Sequence, residues 1–128
     1  MSPKFVNLIT AVEIHRESLV RFGGLDGVRS QELLESALAQ PQMTFGGTFL
    51  HDDVFEMAAA YLFHLVKNLP FLDGNKRTGL GVALAFLDQN GVSIEQPSSR
   101  LYDITMAVAE GTLDKAGLTA ILRELARS

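Results

Sequence analysis

The 128-residue sequence contains no cysteine, which excludes a disulfide framework and any thiolate nucleophile or metal ligand. It has no basic excess either. The formal net charge is −4, the opposite of the cationic surface that nucleic-acid binding needs. Its longest apolar stretches, within 54–66 and 80–87, are too short or interrupted to span a bilayer. Residues 1–5 carry no basic stretch leading into an apolar run, so no secretory signal is expected. No linker, low-complexity run or internal repeat divides the chain. The expectation is one cytoplasmic domain over 1–128, with neither nucleic acid nor membrane as partner. Hydrophobic residues make up 47% of the sequence, and a chain of this length buries about two-thirds of its unfolded surface without staples.

The spacing predicts an all-α fold: a compact bundle of about six helices around a buried central one, with a flap loop and no firm strand. Thr10-x-x-Glu13 reads as a capping box opening the first helix, with Ile9 and Ile14 at staple positions and Gly23-Gly24 at its end. Val12, Leu19 and Phe22 recur at helical spacing along it. Ser30 caps a second helix carrying Leu33, Leu34, Ala37 and Leu38, and Pro41 stops it. Residues 42–50, with Gly46-Gly47 among large apolar side chains, form a loop able to pair as an extended flap. Asp53-x-x-Glu56 starts a third helix that Pro70 prevents from continuing. The fourth runs from about Gly74 to Asn90, with Gly91 just past its end. Its middle, 80–87, is apolar nearly all round, which marks it as the central helix. Gly79 and Gly81 each cost it about 1 kcal/mol relative to alanine, so a neighbouring helix is expected to approach closely there. Ser98 or Ser99 caps a fifth helix that Gly111 breaks after Glu110, and Asp114 leads a sixth.

The segment between the third and fourth helices carries the chemistry. Within five residues, Asp73, Gly74, Asn75, Lys76 and Arg77 bring together a lone carboxylate, a flexible glycine, an amide and two cations, where a loop becomes a helix. A helix N-terminus presents unpaired N–H groups and the positive end of the macrodipole. Gly74 lets the backbone approach an anion, and the N–H groups of Gly74, Asn75 and Lys76 can form a concave nest. Lys76 and Arg77 add side-chain charge, and Asp73 is placed to hold a Mg²⁺ that bridges phosphate oxygens. An ordinary Asp-Gly turn with a solvated first helical turn would instead favour acids, because cations there oppose the dipole. The pattern is no Walker loop, and Gly79-Leu80-Gly81 is too short for a dinucleotide fingerprint.

These residues resemble the motif of the Fic/Doc superfamily, His-Pro-Phe-x-Asp/Glu-Gly-Asn-Gly/Lys-Arg, on a loop entering the central helix of an all-α domain. Here the motif reads Leu69-Pro70-Phe71-Leu72-Asp73-Gly74-Asn75-Lys76-Arg77, a match at every position but the first. Segments 21–29, 33–41 and 107–111 look like the death-on-curing (Doc) branch, so the resemblance covers nearly the whole chain. It implies a metal ligand in Asp73 and an anion hole formed by Gly74, Asn75, Lys76 and Arg77. It further implies that Phe71 anchors the loop and that 42–50 aligns a target protein's segment. Lys76 is typical of Doc toxins, whereas Fic enzymes that transfer AMP usually have glycine there. The implied activity is phosphoryl transfer from ATP, with Mg²⁺, to a hydroxyl of elongation factor Tu, blocking translation; AMP transfer is the alternative.

Leu69 stands where the family has its proton-accepting histidine. Loss of a general base typically removes ~10²–10⁴-fold of rate, so the resemblance implies an impaired enzyme. Two accounts remain open: inactivation of a lethal toxin, or a pseudoenzyme that keeps nucleotide and partner binding. His64, inside the third helix, is expected to be a cation or polar surface group near that helix's C-terminus, and His15 and His51 to hold surface or cap roles. The self-inhibitory pattern of some Fic proteins, Ser/Thr-x-x-x-Glu-Gly/Asn, is absent, since Thr105 to Glu110 is one residue too long. Control by a Phd-like antitoxin folding as a helix into an apolar groove is then implied.

Overall fold

The computed structural model describes residues 2–126. Six helices follow in order: α1 (Leu8–Phe22), α2 (Gln31–Ala39), α3 (Val54–Asn68), α4 (Asn75–Gln89), α5 (Ser98–Glu110) and α6 (Lys115–Leu125). A 3₁₀ turn at Gln40–Gln42, holding Pro41, closes α2 and leads into the flap. The flap is a hairpin of β1 (Thr44–Phe45) and β2 (Thr48–Phe49), paired Thr44 to Phe49 and Phe45 to Thr48. Gly46 and Gly47 both take positive φ, as its two-residue turn requires.

Most helix starts follow from side-chain caps. Ser30, Asp53 and Asp114 accept the N–H groups of Leu33, Glu56 and Gly117, as expected from the sequence. Two starts differ. The α1 cap is Asn7, whose Oδ1 accepts Thr10 N–H at 2.9 Å, so Thr10 lies inside the helix. Ile9 is consequently exposed, and the buried residues around the cap are Val6 and Ala11. The α5 cap is Pro97, with Ser98 and Ser99 already helical and no side-chain cap bond. Gly23, Gly91 and Gly111 end α1, α4 and α5 at positive φ.

The centre of the bundle is the α3–α4 pair. It is α3 that packs against α2, α4, α5, α6 and the 3₁₀ turn, while α4 meets α1, α3 and α5. The apolar run of α4 marked a central helix, but α3 is the more enclosed of the two, with a continuous buried stretch from Met57 to Leu62. Close approach at the glycines is as expected. A Cβ on Gly79 would lie 3.1 Å from Val66 Cγ2, and one on Gly81 would lie 2.8 Å from Ile14 Cγ2. These contacts bring α3 and α1 onto the first turns of α4, and so build a corner where three chain segments meet. Among the described residues, no helix is long and apolar enough to cross a membrane.

Candidate active site

The turn from α3 into α4 is held from several sides. At its entry Leu69 adopts the left-handed conformation (φ 51°, ψ 53°), the one non-glycine residue with positive φ among those described. That conformation costs a non-glycine residue about 1–2 kcal/mol. Arg29 fixes it: Nε donates to Leu69 O at 2.6 Å and Nη2 to Asn68 O at 2.8 Å, closing the C-terminus of α3 with a cation. Pro70 O accepts the N–H groups of Arg29 and Ser30, and Leu72 N–H donates to Gly27 O. Val28 and Phe71 form an isolated antiparallel bridge between these two segments. Residues 27–30 thus act as a short brace along the motif.

From inside, Asn75 closes the loop on itself. Its Oδ1 accepts Phe71 N–H at 2.9 Å and its Nδ2 donates to Phe71 O at 3.0 Å. The Asn75 side chain is therefore buried in the loop, and its backbone N–H alone is left for a ligand. Phe71 is 1% exposed and anchors the turn in the core. His15 is also buried, contrary to the surface role expected of it: its ring stacks on Phe71 at 3.9 Å, nearly parallel, and Nε2 lies 2.8 Å from Asp73 O. A carbonyl can only accept, so Nε2 carries the proton.

An open cleft of about 330 Å³ lies above this scaffold, between the C-terminal half of α1 and the start of α4. Asp73, Gly74, Asn75, Lys76 and Arg77 line it on one side, and Ser18, Phe22 and Tyr102 on the other. Gly74 is the N-cap of α4 at φ 77° and offers no side-chain acceptor, so the N–H groups of Asn75, Lys76 and Arg77 have no partner among the described residues. Gly74 N–H is taken by Asp73 Oδ1 at 2.9 Å, so it drops out of the expected nest. Asp73 Oδ2 receives Leu25 N–H at 3.3 Å. The Arg77 guanidinium lies 3.8 Å from the Phe22 ring centre and 4.9 Å from that of Tyr102, and no carboxylate pairs with it among the described residues. Its charge is held in place and left uncompensated. The cleft can therefore take an anion, with a carboxylate at one edge. Leu69 lies at the entry corner with its side chain half-exposed, outside the cleft lining.

The remaining histidines stand elsewhere. His51 is buried, not on the surface, and its Nδ1 has no hydrogen-bond partner. His64 is no cation. Burial, then the charge of Lys115 and then His51, push its pKa down to about 4. Lys115 Nζ stands 2.9 Å from His64 Nε2, and an ammonium can only donate, so the ring is the neutral acceptor. Composition and periodicity carried no signal for His15 or Arg29. Both act through backbone carbonyls distant in sequence.

A model of the Fic/DOC family matches residues 5–87. The chain is 32% identical over 114 residues to "Protein kinase doc" of Escherichia phage P1, covering 89% of each. It is 38% identical over 109 residues to "Toxin Doc" of Mycolicibacterium smegmatis (strain ATCC 700084 / mc(2)155), covering 84% of this chain and 82% of that protein. The matched region contains α1, the brace, the motif turn and most of α4, which supply all of the cleft lining but Tyr102, and the chain belongs to the Fic/DOC family, in its Doc branch.

Proposed function

We propose that this chain is a Doc-type toxin whose cleft binds the polyphosphate of ATP for phosphoryl transfer to a protein hydroxyl, and that Leu69 leaves the transfer at trace level. The observation that carries the reading is the start of α4: three residues whose N–H groups have no partner among the described residues, two of them cations, line one cleft with the adjacent Asp73, in a helix without a side-chain cap. Backbone amides and Arg77 would hold the phosphate oxygens, with Lys76 adding a point charge. In the transfer, the acceptor oxygen bonds to the γ-phosphorus as the bond to the bridging oxygen of ADP breaks. The acceptor's proton must leave, and the aliphatic side chain at position 69 cannot take it.

A divalent ion fits as part of the nucleotide complex. Asp73 retains acceptor capacity beyond its two N–H contacts, but no group of three or more metal-ligating side chains exists among the described residues. One carboxylate plus phosphate oxygens and water is the usual setting of Mg²⁺, which would neutralise phosphate charge there. Resemblance to Doc toxins suggests elongation factor Tu as target, a Phd-like antitoxin as partner and the cytoplasm as location.

The test is labelling of elongation factor Tu from γ-labelled ATP. The chain as it stands should give a trace and Leu69→His a signal roughly 10²–10⁴-fold larger, the span of general-base catalysis. Label from α-labelled ATP alone would select AMP transfer, against which Lys76 speaks. A histidine variant that binds MgADP but labels nothing would leave the second reading, a nucleotide- or antitoxin-binding pseudoenzyme, which the absence of any acceptor on Leu69 favours.

A further inference from the structure

Two of the three buried residues of α1, His15 and Ser18 beside Ala11, are polar where an apolar stripe would be ordinary. His15, Ser18 and Phe22 follow at helical intervals along one face. His15 reaches the motif turn, while Ser18 and Phe22 line the cleft. A Cβ on Gly74 would lie 3.6 Å from His15 Cδ2 and 3.7 Å from Nε2, so the imidazole also forms the floor beneath the α4 cap. The ring thus touches three consecutive features of the turn: the Phe71 ring, the Asp73 carbonyl and the Gly74 backbone.

We infer that His15 is a positioning residue for the phosphate site, its Nε2–H holding the Asp73–Gly74 peptide so that the free amides of α4 and the Asp73 carboxylate face the same cleft. Without that bond, nothing else among the described residues holds the Asp73 carbonyl. The peptide could then rotate and turn the first amides of α4 away from the ligand. The same bond sets the register of α1 against α4, because the Phe22 ring that steadies Arg77 sits two helical turns further along from His15. The imidazole is no proton acceptor for the reaction, since the nitrogen nearest the motif already carries a proton and donates it inward. This inference rests on the cleft being a phosphate site, and its test separates the two.

Two variants divide the ring's contributions. His15→Phe keeps the stack on Phe71 and removes the donor; His15→Gln restores an N–H at similar reach and removes the ring. With Mg²⁺ and ADP as the probe in calorimetric titration, His15→Phe should bind about tenfold more weakly, the scale of one lost hydrogen bond in a preorganised site. His15→Gln should recover most of the affinity even though it melts at a lower temperature than the phenylalanine variant. A purely structural role for His15 would reverse the binding order, with phenylalanine the better replacement, and would overturn the inference. Amide hydrogen exchange at Phe71, Gly74 and Thr78, whose N–H groups are bonded within the turn, supplies a second readout that needs no nucleotide. His15→Phe should speed exchange there while leaving α6 unchanged, and equal rates in both proteins would overturn the inference. Failure of the unsubstituted chain to bind MgADP, with exchange at those bonded amides still accelerated in His15→Phe, would sink the nucleotide reading and leave His15 in its positioning role.

Discussion

The N-termini of α4 and α6 both carry cations, and of these two only that of α4 is built to receive an anion. At α6, Asp114 Oδ1 accepts Gly117 N–H at 2.7 Å, so a carboxylate of the chain itself occupies the positive end of the helix. Lys115, the first residue of α6, then turns its ammonium onto the neutral His64 ring. At α4 the cap is a glycine, the first amides are free, and Lys76 and Arg77 stand over a cleft with no capping carboxylate. Helix α5 also lacks a side-chain cap, but Pro97 at its start is not part of the cleft lining. A bare cap alone therefore says little. A bare cap combined with a steadied, uncompensated cation and a concave surface points to a ligand.

The largest expected effect is at Arg77. Replacing it with alanine removes charge-assisted hydrogen bonds worth roughly 1.5–3 kcal/mol, so MgADP affinity should fall about 10- to 100-fold. The matched change at the other helix, Lys115→Ala, should leave that affinity unaltered. Equal losses from both would erase the distinction between the two N-termini. Next is Gly74→Ala. Its Cβ meets only ordinary contacts, but φ 77° penalises any side chain by about 1–2 kcal/mol. Urea unfolding should show that loss, accompanied by weaker nucleotide binding. Asp114→Ala should cost about 1 kcal/mol through the lost cap and leave nucleotide binding intact. Should binding fall with it, the two helix ends would be coupled through α3, against the comparison drawn above.

Much of this was legible from local chemistry. Ser30, Asp53 and Asp114 cap as their residue types demand, and Gly91 and Gly111 stop their helices at positive φ. Gly79 marks close helix approach because only a missing Cβ allows it. The motif turn reads as a nest of the Gly74, Asn75 and Lys76 amides, whereas Gly74 N–H is taken by Asp73 and the unpartnered amides among the described residues are those of Asn75, Lys76 and Arg77. What stayed hidden depends on partners far away in sequence. Asn7 outcompetes Thr10 as cap because the helix extends back to bury Val6 and Ala11 around it. The buried polar positions His15 and Ser18 interrupt the apolar period of α1, and the reason for them lies 58 residues on, at Asp73. Arg29 is an ordinary loop cation until α3 ends beside it with two open carbonyls. The charge state of His64 reads as surface-like from its neighbours in sequence, whereas Lys115, 51 residues later, makes it a neutral acceptor.

The smallest effect, and the sharpest for the α6 end, is the pH dependence of stability. His64 has its pKa pushed from 6.5 down to about 4 by burial and by the neighbouring Lys115 and His51 charges. His51 is lowered too, by burial first and then by Lys115. A histidine whose folded pKa lies below its unfolded one takes up a proton on unfolding anywhere between the two values, so acid favours the unfolded chain in that window. Stability should therefore decline as pH falls from about 6.5 to 4, and this group should add nothing above or below that range. Partial exposure of His64 moderates the slope through solvent screening. Asp53 contributes in a separate window: although burial opposes it, the Glu56 N–H and Arg123 hold its carboxyl below 3.8, so its stabilisation is lost only at lower pH. Replacing His64 with glutamine keeps an acceptor for Lys115 without a titrating ring. Urea midpoints measured at pH 7, 5.5 and 4.5 should then flatten for His64→Gln relative to the unsubstituted chain, while the MgADP affinity of the cleft keeps its own pH profile. An unchanged slope in His64→Gln would mean that Lys115 rests on a ring already charged, and the contrast between a self-contained α6 end and an open α4 end would lose its electrostatic basis.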